Sequence, residues 1–112
     1  MFTTNMFDSW ETVPVITLPN MDRQIYTGEN VMLVRNSIHP NEVLAAHSHP
    51  HEQILLIESG ECRVETEGRD EVVKSGGLVW FKSNQVHKVT NLLDNPLVAI
   101  DIFSPIREDF LK

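Results

Sequence analysis

Four histidines fall in two segments of the chain, and neutral imidazole is the side chain that proteins use most often to bind metals. Three of them, His47, His49 and His51, lie within seven residues that end at Gln53, and the fourth is His87. Residues two apart on an extended backbone face the same side, so His47 and His49 are expected to share one face of a strand with Gln53. Histidines clustered on one face are typical of a divalent metal site.

Length, charge and cysteine content limit the class of protein. The 112 residues predict one domain, and a net charge of −7 without a Lys/Arg cluster argues against nucleic acid and anionic membranes as partners. The single cysteine, Cys62, excludes an internal disulfide and fits an intracellular setting. The first residues lack the basic flank and apolar run of a signal peptide, and no stretch approaches the roughly twenty apolar residues of a membrane span. We expect a cytoplasmic domain.

Short segments rich in β-forming residues recur along the chain with Gly, Asn or Pro between them, which predicts an all-β barrel or sandwich. The predicted strands are Val31–Ile38, Gln53–Ile57, Glu61–Thr66, Glu71–Lys74, Leu78–Phe81, Val86–Asn91 and Leu97–Phe103. Residues 1–30 are assigned to an N-terminal segment with the first strands, 31–104 to the barrel core and 105–112 to an ordered tail. Within that tail, Pro105–Leu111 has the pattern of a helical turn.

Two charged residues near the end of the chain are candidates for catalysis. Asp101 interrupts an apolar strand, so it lies either at an edge facing solvent or inside the barrel, where it would be a candidate general acid or base. Arg107 either forks onto a substrate carboxylate or forms a salt bridge with an acid such as Glu108 or Asp109.

The spacing of the histidines resembles the two motifs of the cupin family. His47-x-His49 is followed after three residues by Gln53 and after six more by Gly60; Gly76 is followed after ten residues by His87. The family usually has Glu where this chain has Gln53, and Lys82 and Asn84 replace a Pro and a Gly of the second motif. The resemblance implies a small jelly-roll-type double-sheet β-barrel.

The same resemblance implies a metal ion held by His47, His49, Gln53 and His87. Gln53 either binds the metal or holds a metal-bound water, and His51 either adds a ligand or lies at the rim of the site. Three imidazoles and a neutral amide leave the full charge of a divalent ion in place, which favours an anionic substrate or a developing enolate. The donor set suits Zn, Ni, Fe or Cu and is open to Mn.

The C-terminal block DIFSPIREDFL, together with SHPHEQ at 48–53, resembles the KdgF-type uronate-linearising proteins of pectin and alginate breakdown. Those proteins convert 4,5-unsaturated monouronates into open-chain 5-keto-4-deoxyuronate. The resemblance implies catalytic roles for Asp101, Phe103 and Arg107. Asp101 would carry the proton, Phe103 would wall the pocket, and Arg107 would hold the carboxylate of a small anionic sugar.

Two other classes of function remain open on the sequence. One is another metal-dependent cupin enzyme, such as a dioxygenase or a polyketide cyclase-like protein, and the other is a non-catalytic module that binds sugar or metal. The apolar residues Phe2, Met6, Phe7 and Trp10 have no evident core role. We therefore expect this N-terminal segment to pack across a two-fold homodimer.

Overall fold

The computed structural model describes residues 4–112, which form two antiparallel β-sheets. The ten strands are β1 (Ile16–Thr17), β2 (Met21–Thr27), β3 (Met32–Ile38), β4 (Val43–His47), β5 (Glu52–Ser59), β6 (Glu61–Thr66), β7 (Arg69–Lys74), β8 (Leu78–Phe81), β9 (His87–Asn91) and β10 (Leu97–Ser104). One sheet has six strands in the order β1-β2-β3-β10-β5-β8, and the other has four in the order β4-β9-β6-β7. The fold is all-β and jelly-roll-like, and the two sheets do not close into a strict barrel.

The core follows from the alternation of side chains along the strands. In β3 every second residue, from Met32 to Ile38, is buried, and β10 shows the same pattern from Leu97 to Ala99. The larger of two buried clusters joins both sheets, with Leu55 and Phe81 from the six-stranded sheet and Val64 from the four-stranded sheet. The core therefore lies between the sheets.

Each predicted strand is present, with ends that differ by no more than a few residues. The structure adds β1, β2 and β4, whose bounds the sequence did not predict. The helical turn predicted in the tail is a short 3-10 helix over Glu108–Leu111. Among residues 4–112, no helix is long and apolar enough to cross a membrane.

The chain path brings the predicted site residues to one region. After β4, at the edge of the four-stranded sheet, the chain crosses to β5 in the six-stranded sheet. β9 pairs with β4, and β10 lies beside β5, so the metal motifs and the strand of Asp101 become neighbours. Gly60 makes the turn from β5 to β6 with a φ of 103°, a left-handed conformation that favours glycine.

Candidate metal centre and cavity

Three of the predicted ligands, His47, His49 and His87, form a compact cluster. His47 ends β4 and lies opposite His87, the first residue of β9, while His49 is in the following loop. The ring centroids of His47 and His87 are 4.4 Å apart, and those of His49 and His87 are 5.2 Å apart. One ring nitrogen from each histidine lies within 4.8 Å of the others, which is a spacing that can hold a metal ion.

Backbone carbonyls hold all three imidazoles in the same way. Nδ1 of His47 lies 3.1 Å from the carbonyl oxygen of Ala45, and Nδ1 of His87 lies 2.8 Å from that of Gln85. Nδ1 of His49 lies 3.0 Å from the carbonyl oxygen of His51. A nitrogen that faces a carbonyl must carry the proton, so each Nε2 keeps its lone pair, as a metal ligand requires.

Two features of this cluster fit a cation between the donors. Nε2 of His87 is buried and has no hydrogen-bond partner among residues 4–112. Nε2 of His49 lies 2.9 Å from Oε1 of Gln53, although both atoms are acceptors once Nδ1 carries the proton. Burial lowers the pKa of His87 to about 4 and also lowers the pKa of His49, and both shifts favour the neutral imidazole that a metal ligand requires. The residues therefore fit a bound metal.

Gln53 reaches the cluster from the facing sheet. The expectation that it shares a strand face with His47 and His49 is wrong, because His49 is in the loop and Gln53 is on β5. Its Nε2 donates a hydrogen bond of 2.8 Å to Oδ1 of Asp101. That bond fixes the orientation of the amide and turns its oxygen toward His49.

Asp101 lies inside the cavity rather than at a sheet edge, because β10 is flanked by β3 and β5. Both carboxylate oxygens accept amide hydrogens, one from Gln53 and the other from Nδ2 of Asn36 at 3.1 Å. Burial raises the pKa of Asp101 to about 6, while the hydrogen bond from Gln53 and the charge of Arg23 act in the opposite direction. A carboxyl group with these properties can both take up and release a proton near neutral pH.

The C-terminal tail supplies the aromatic and basic side of the cavity. The Arg107 guanidinium lies 5.1 Å from the ring centroid of Phe103 and 4.1 Å from that of Phe110. It also pairs with Asp109 through two hydrogen bonds, from Nε at 3.0 Å and from the terminal nitrogen at 2.8 Å. Arg107 thus lines the cavity and forms one of the salt bridges that the sequence left open.

His51 takes part in the site through its backbone. It is not a member of the histidine cluster, and its carbonyl instead accepts the Nδ1–H of His49. Its ring lies 5.5 Å from that of His49 and 6.4 Å from that of Phe103, at the rim of the site.

Sequence reasoning missed two polar residues of the cavity, Arg23 and Asn36. Nε of Arg23 donates to Oδ1 of Asn36 at 3.1 Å, and Asn36 in turn donates to Asp101. Asn36 lies two residues from both Val34 and Ile38, which are buried, in a strand that was predicted. The alternation of that strand could therefore have placed Asn36 on its inner face. Arg23 sits on β2, which the sequence did not delimit.

The cavity between the sheets has a volume of about 130 Å³ and combines these groups. His47, His87 and Gln53 line it together with Asp101, Arg23 and Arg107. A set of metal donors, one carboxyl group and two guanidinium groups in one small cavity suits a small anionic ligand.

Comparison with known proteins defines the family. A family model described as "Cupin domain" matches residues 34–103, which is more than half of the chain. The chain belongs to the cupin family. This cupin is 33% identical over 91 residues to the pectin degradation protein KdgF of Dickeya dadantii, covering 80% of this chain and 82% of that protein.

Solved structures agree with the assignment. KdgF from Halomonas sp. superposes with a TM-score of 0.86 at 27% identity and covers 96% of this cupin and 99% of that chain. An RmlC-like cupin from Shewanella frigidimarina superposes with a TM-score of 0.88 at 24% identity and covers 96% of each chain, which supports the fold. The family match includes the histidine cluster, Gln53 and Asp101, whereas Arg23 and Arg107 lie outside it.

Proposed function

We propose that this cupin linearises 4,5-unsaturated monouronates to 5-keto-4-deoxyuronate in the breakdown of pectin or alginate. The likeness to KdgF proteins suggests the pathway. The observation that carries the proposal is the hydrogen bond of 2.8 Å between Gln53 and Asp101. It ties a proton-carrying carboxyl group to a metal-donor set inside a cavity lined by arginines.

The reaction is an isomerisation and needs no oxidant. The cyclic substrate is a hemiacetal whose ring oxygen is also the oxygen of an enol ether. The C1 hydroxyl loses its proton, the bond between C1 and the ring oxygen breaks, and C1 becomes an aldehyde. The electron pair of that bond stays on the former ring oxygen and leaves an enolate at C5. The enolate becomes a ketone when a proton is added at C4, so one proton lost from the C1 hydroxyl is matched by one gained at C4, and atoms and charge balance.

Each step has a candidate residue in the cavity. Asp101 carries the proton, since its carboxyl group is poised near neutral pH by burial and by amide hydrogen bonds. Phe103 walls the cavity against the sugar ring. Arg107 contributes positive charge for the substrate carboxylate, and Asp109 engages two of its nitrogens and leaves the third for a further acceptor.

The histidine cluster and Gln53 would hold a divalent ion such as Zn, Ni, Fe or Mn. When bound, this ion supplies a Lewis acid for the negative charge that develops on the substrate oxygens. Gln53 and the carbonyls behind the imidazoles orient the donors before substrate arrives.

Proton NMR of purified protein with unsaturated galacturonate and unsaturated mannuronate tests the proposal. We expect the vinylic C4 proton signal to disappear faster than in a protein-free control. The control is needed because these sugars also linearise unaided. Oxygen consumption by the iron-loaded protein would point to a dioxygenase. Binding without turnover under any metal would point to a sugar-binding module, and both results would contradict the proposal.

A further inference from the structure

Arg23 is a cation inside the cavity whose nearest partners are neutral. Its Nε donates to Oδ1 of Asn36 at 3.1 Å, and a terminal nitrogen lies 3.5 Å from Sδ of Met21. The guanidinium carbon lies 4.2 Å from the ring centroid of Phe110. No carboxylate of residues 4–112 is within salt-bridge distance of Arg23.

Arg107, the other guanidinium of the cavity, differs in this respect. It shares the Phe110 ring at 4.1 Å, but its charge is matched by Asp109 through two hydrogen bonds. A planar guanidinium binds a carboxylate best through two parallel N–H groups, and Asp109 already uses such a pair on Arg107. Arg23 is therefore the better matched receptor for an incoming carboxylate.

The electrostatics of Arg23 favour an added anion. Burial lowers the pKa of Arg23. The charge of Asp101 raises it, the charge of Arg107 lowers it, and Asp109 raises it by the smallest amount of the four. Asp101 is separated from Arg23 by the Asn36 amide, which spans the two groups. A substrate carboxylate at Arg23 would offset the burial of this charge directly.

We propose that Arg23 binds the carboxylate of the substrate and sets the preference of the cavity for anionic over neutral sugars. This role rests on the proposed function for the identity of the substrate. A competing role for Arg23 is purely structural, in which it orients Asn36 and thereby Asp101. The two roles differ in their dependence on substrate charge, because only a direct contact needs the carboxylate.

The test compares a uronate with its uncharged C6 methyl ester in wild type, Arg23→Met and Arg23→Lys. For unsaturated galacturonate, Arg23→Met should raise KM by about 10- to 100-fold, the range expected for a charged hydrogen-bonded contact. For the methyl ester, Arg23→Met should change KM little. Arg23→Lys keeps the charge without the planar guanidinium, so it should raise the KM for the acid less than Arg23→Met does. Arg63→Met, which removes an equal charge paired with Asp70 on the outer side of β6, is the control and should change nothing.

Calorimetry with saturated galacturonate and its methyl ester keeps this test separate from turnover, since neither has the 4,5 double bond. The proposed function fails if wild type does not accelerate ring opening, and the binding comparison still decides the role of Arg23. Thermal unfolding of each variant comes first. Any of three results would overturn the proposal. Arg23→Met could lose equal affinity for acid and ester, it could lose no affinity for the acid, or wild type could fail to prefer the acid.

Discussion

At the scale of single residues, one amide links the histidine cluster to Asp101, the proposed proton carrier. Gln53 accepts no proton and carries no charge, yet its nitrogen donates to Asp101 and its oxygen lies 2.9 Å from Nε2 of His49. A glutamate at this position would face Asp101 with a second carboxylate instead of a donor. In the proposed mechanism, the neutral amide therefore has two roles: it leaves the charge of a bound metal undiminished, and it donates a hydrogen bond to Asp101.

The variant Gln53→Glu tests this double role. We expect it to hold metal at least as tightly as wild type, because it adds a charged ligand, and to turn over more slowly, because it weakens the Lewis acid. Rates are compared at equal metal occupancy, with the exposed Asn30→Asp as a control for the added charge. An unchanged or faster rate would refute this role of the amide.

The role of Asp101 is tested by Asp101→Asn. The variant should keep the fold and its metal and lose about 10²- to 10⁴-fold in turnover, the usual contribution of general acid–base catalysis. Metal content and thermal melting are measured first, because the new amide disturbs the bonds from Gln53 and Asn36. A folded, metal-loaded variant that is as fast as wild type on every unsaturated uronate would show that Asp101 does not carry the proton.

Residue types and spacing predicted that His47, His49 and His87 form a cluster, because the two motifs they resemble supply the ligands of one metal site. The contacts that tune them were not predictable. Asp109 was one of several acids that the sequence left open as partners of Arg107, and Arg23 was missed because β2 was not delimited. Once β2 is known, Arg23 can be placed on its inner face, because it is two residues from both Met21 and Ile25, which are buried.

At the scale of elements, the tail determines the basic side of the cavity. The 3-10 helix Glu108–Leu111 places the Phe110 ring within 4.2 Å of the Arg23 and Arg107 guanidinium carbons and 5.8 Å from the ring of Phe103. Guanidinium groups stacked on an aromatic ring are held more firmly than free ones. A tail of a few residues thus orders two arginines that come from distant parts of the chain.

Replacing Phe110 by alanine should therefore weaken substrate binding without removing any charge. We expect Phe110→Ala to raise KM several-fold or more, since both arginines lose their common platform, and to leave metal content unchanged. Leu111→Ala is the matched control, because it trims the same helix at a residue that packs on the apolar core. Equal effects of the two changes would mean that tail stability, not the ring, matters.

Strand prediction succeeded where Gly or Asn/Pro separates short β-rich segments, as at Glu61–Thr66 and Leu78–Phe81. It failed for β4, whose residues are mostly exposed and so lack a buried alternation to detect. That failure explains why one strand face was expected for His47, His49 and Gln53. The cluster forms instead by the crossing from one sheet to the other, which is a tertiary feature.

At the scale of the whole molecule, the N-terminal segment has apolar surface without cover. Met6 is 86% exposed and Phe7 is 88% exposed, whereas Trp10 is half-buried with its ring 5.8 Å from the Arg35 guanidinium. Phe2 lies outside the described residues. We propose that Met6 and Phe7 pack across a two-fold dimer of this acidic chain.

Light scattering at micromolar concentration tests the dimer. We expect twice the chain mass for wild type and a shift toward the monomer for Met6→Ser/Phe7→Ser, because the contact loses its apolar side chains. Val72→Ser, at an exposed position on β7 of the other sheet, is the control and should stay dimeric. A monomer mass for wild type would contradict the proposed assembly.

The proposed function depends on a metal ion held by the three histidines. Its most direct test is metal analysis of wild type and His47→Ala/His49→Ala, both purified without chelator, with the rate of vinylic proton loss measured on the same samples. We predict about one metal per chain and fast ring opening for wild type, and neither for the folded variant. Equal metal content in the two proteins, or metal-free variant protein that opens the ring as fast as wild type, would contradict the claim.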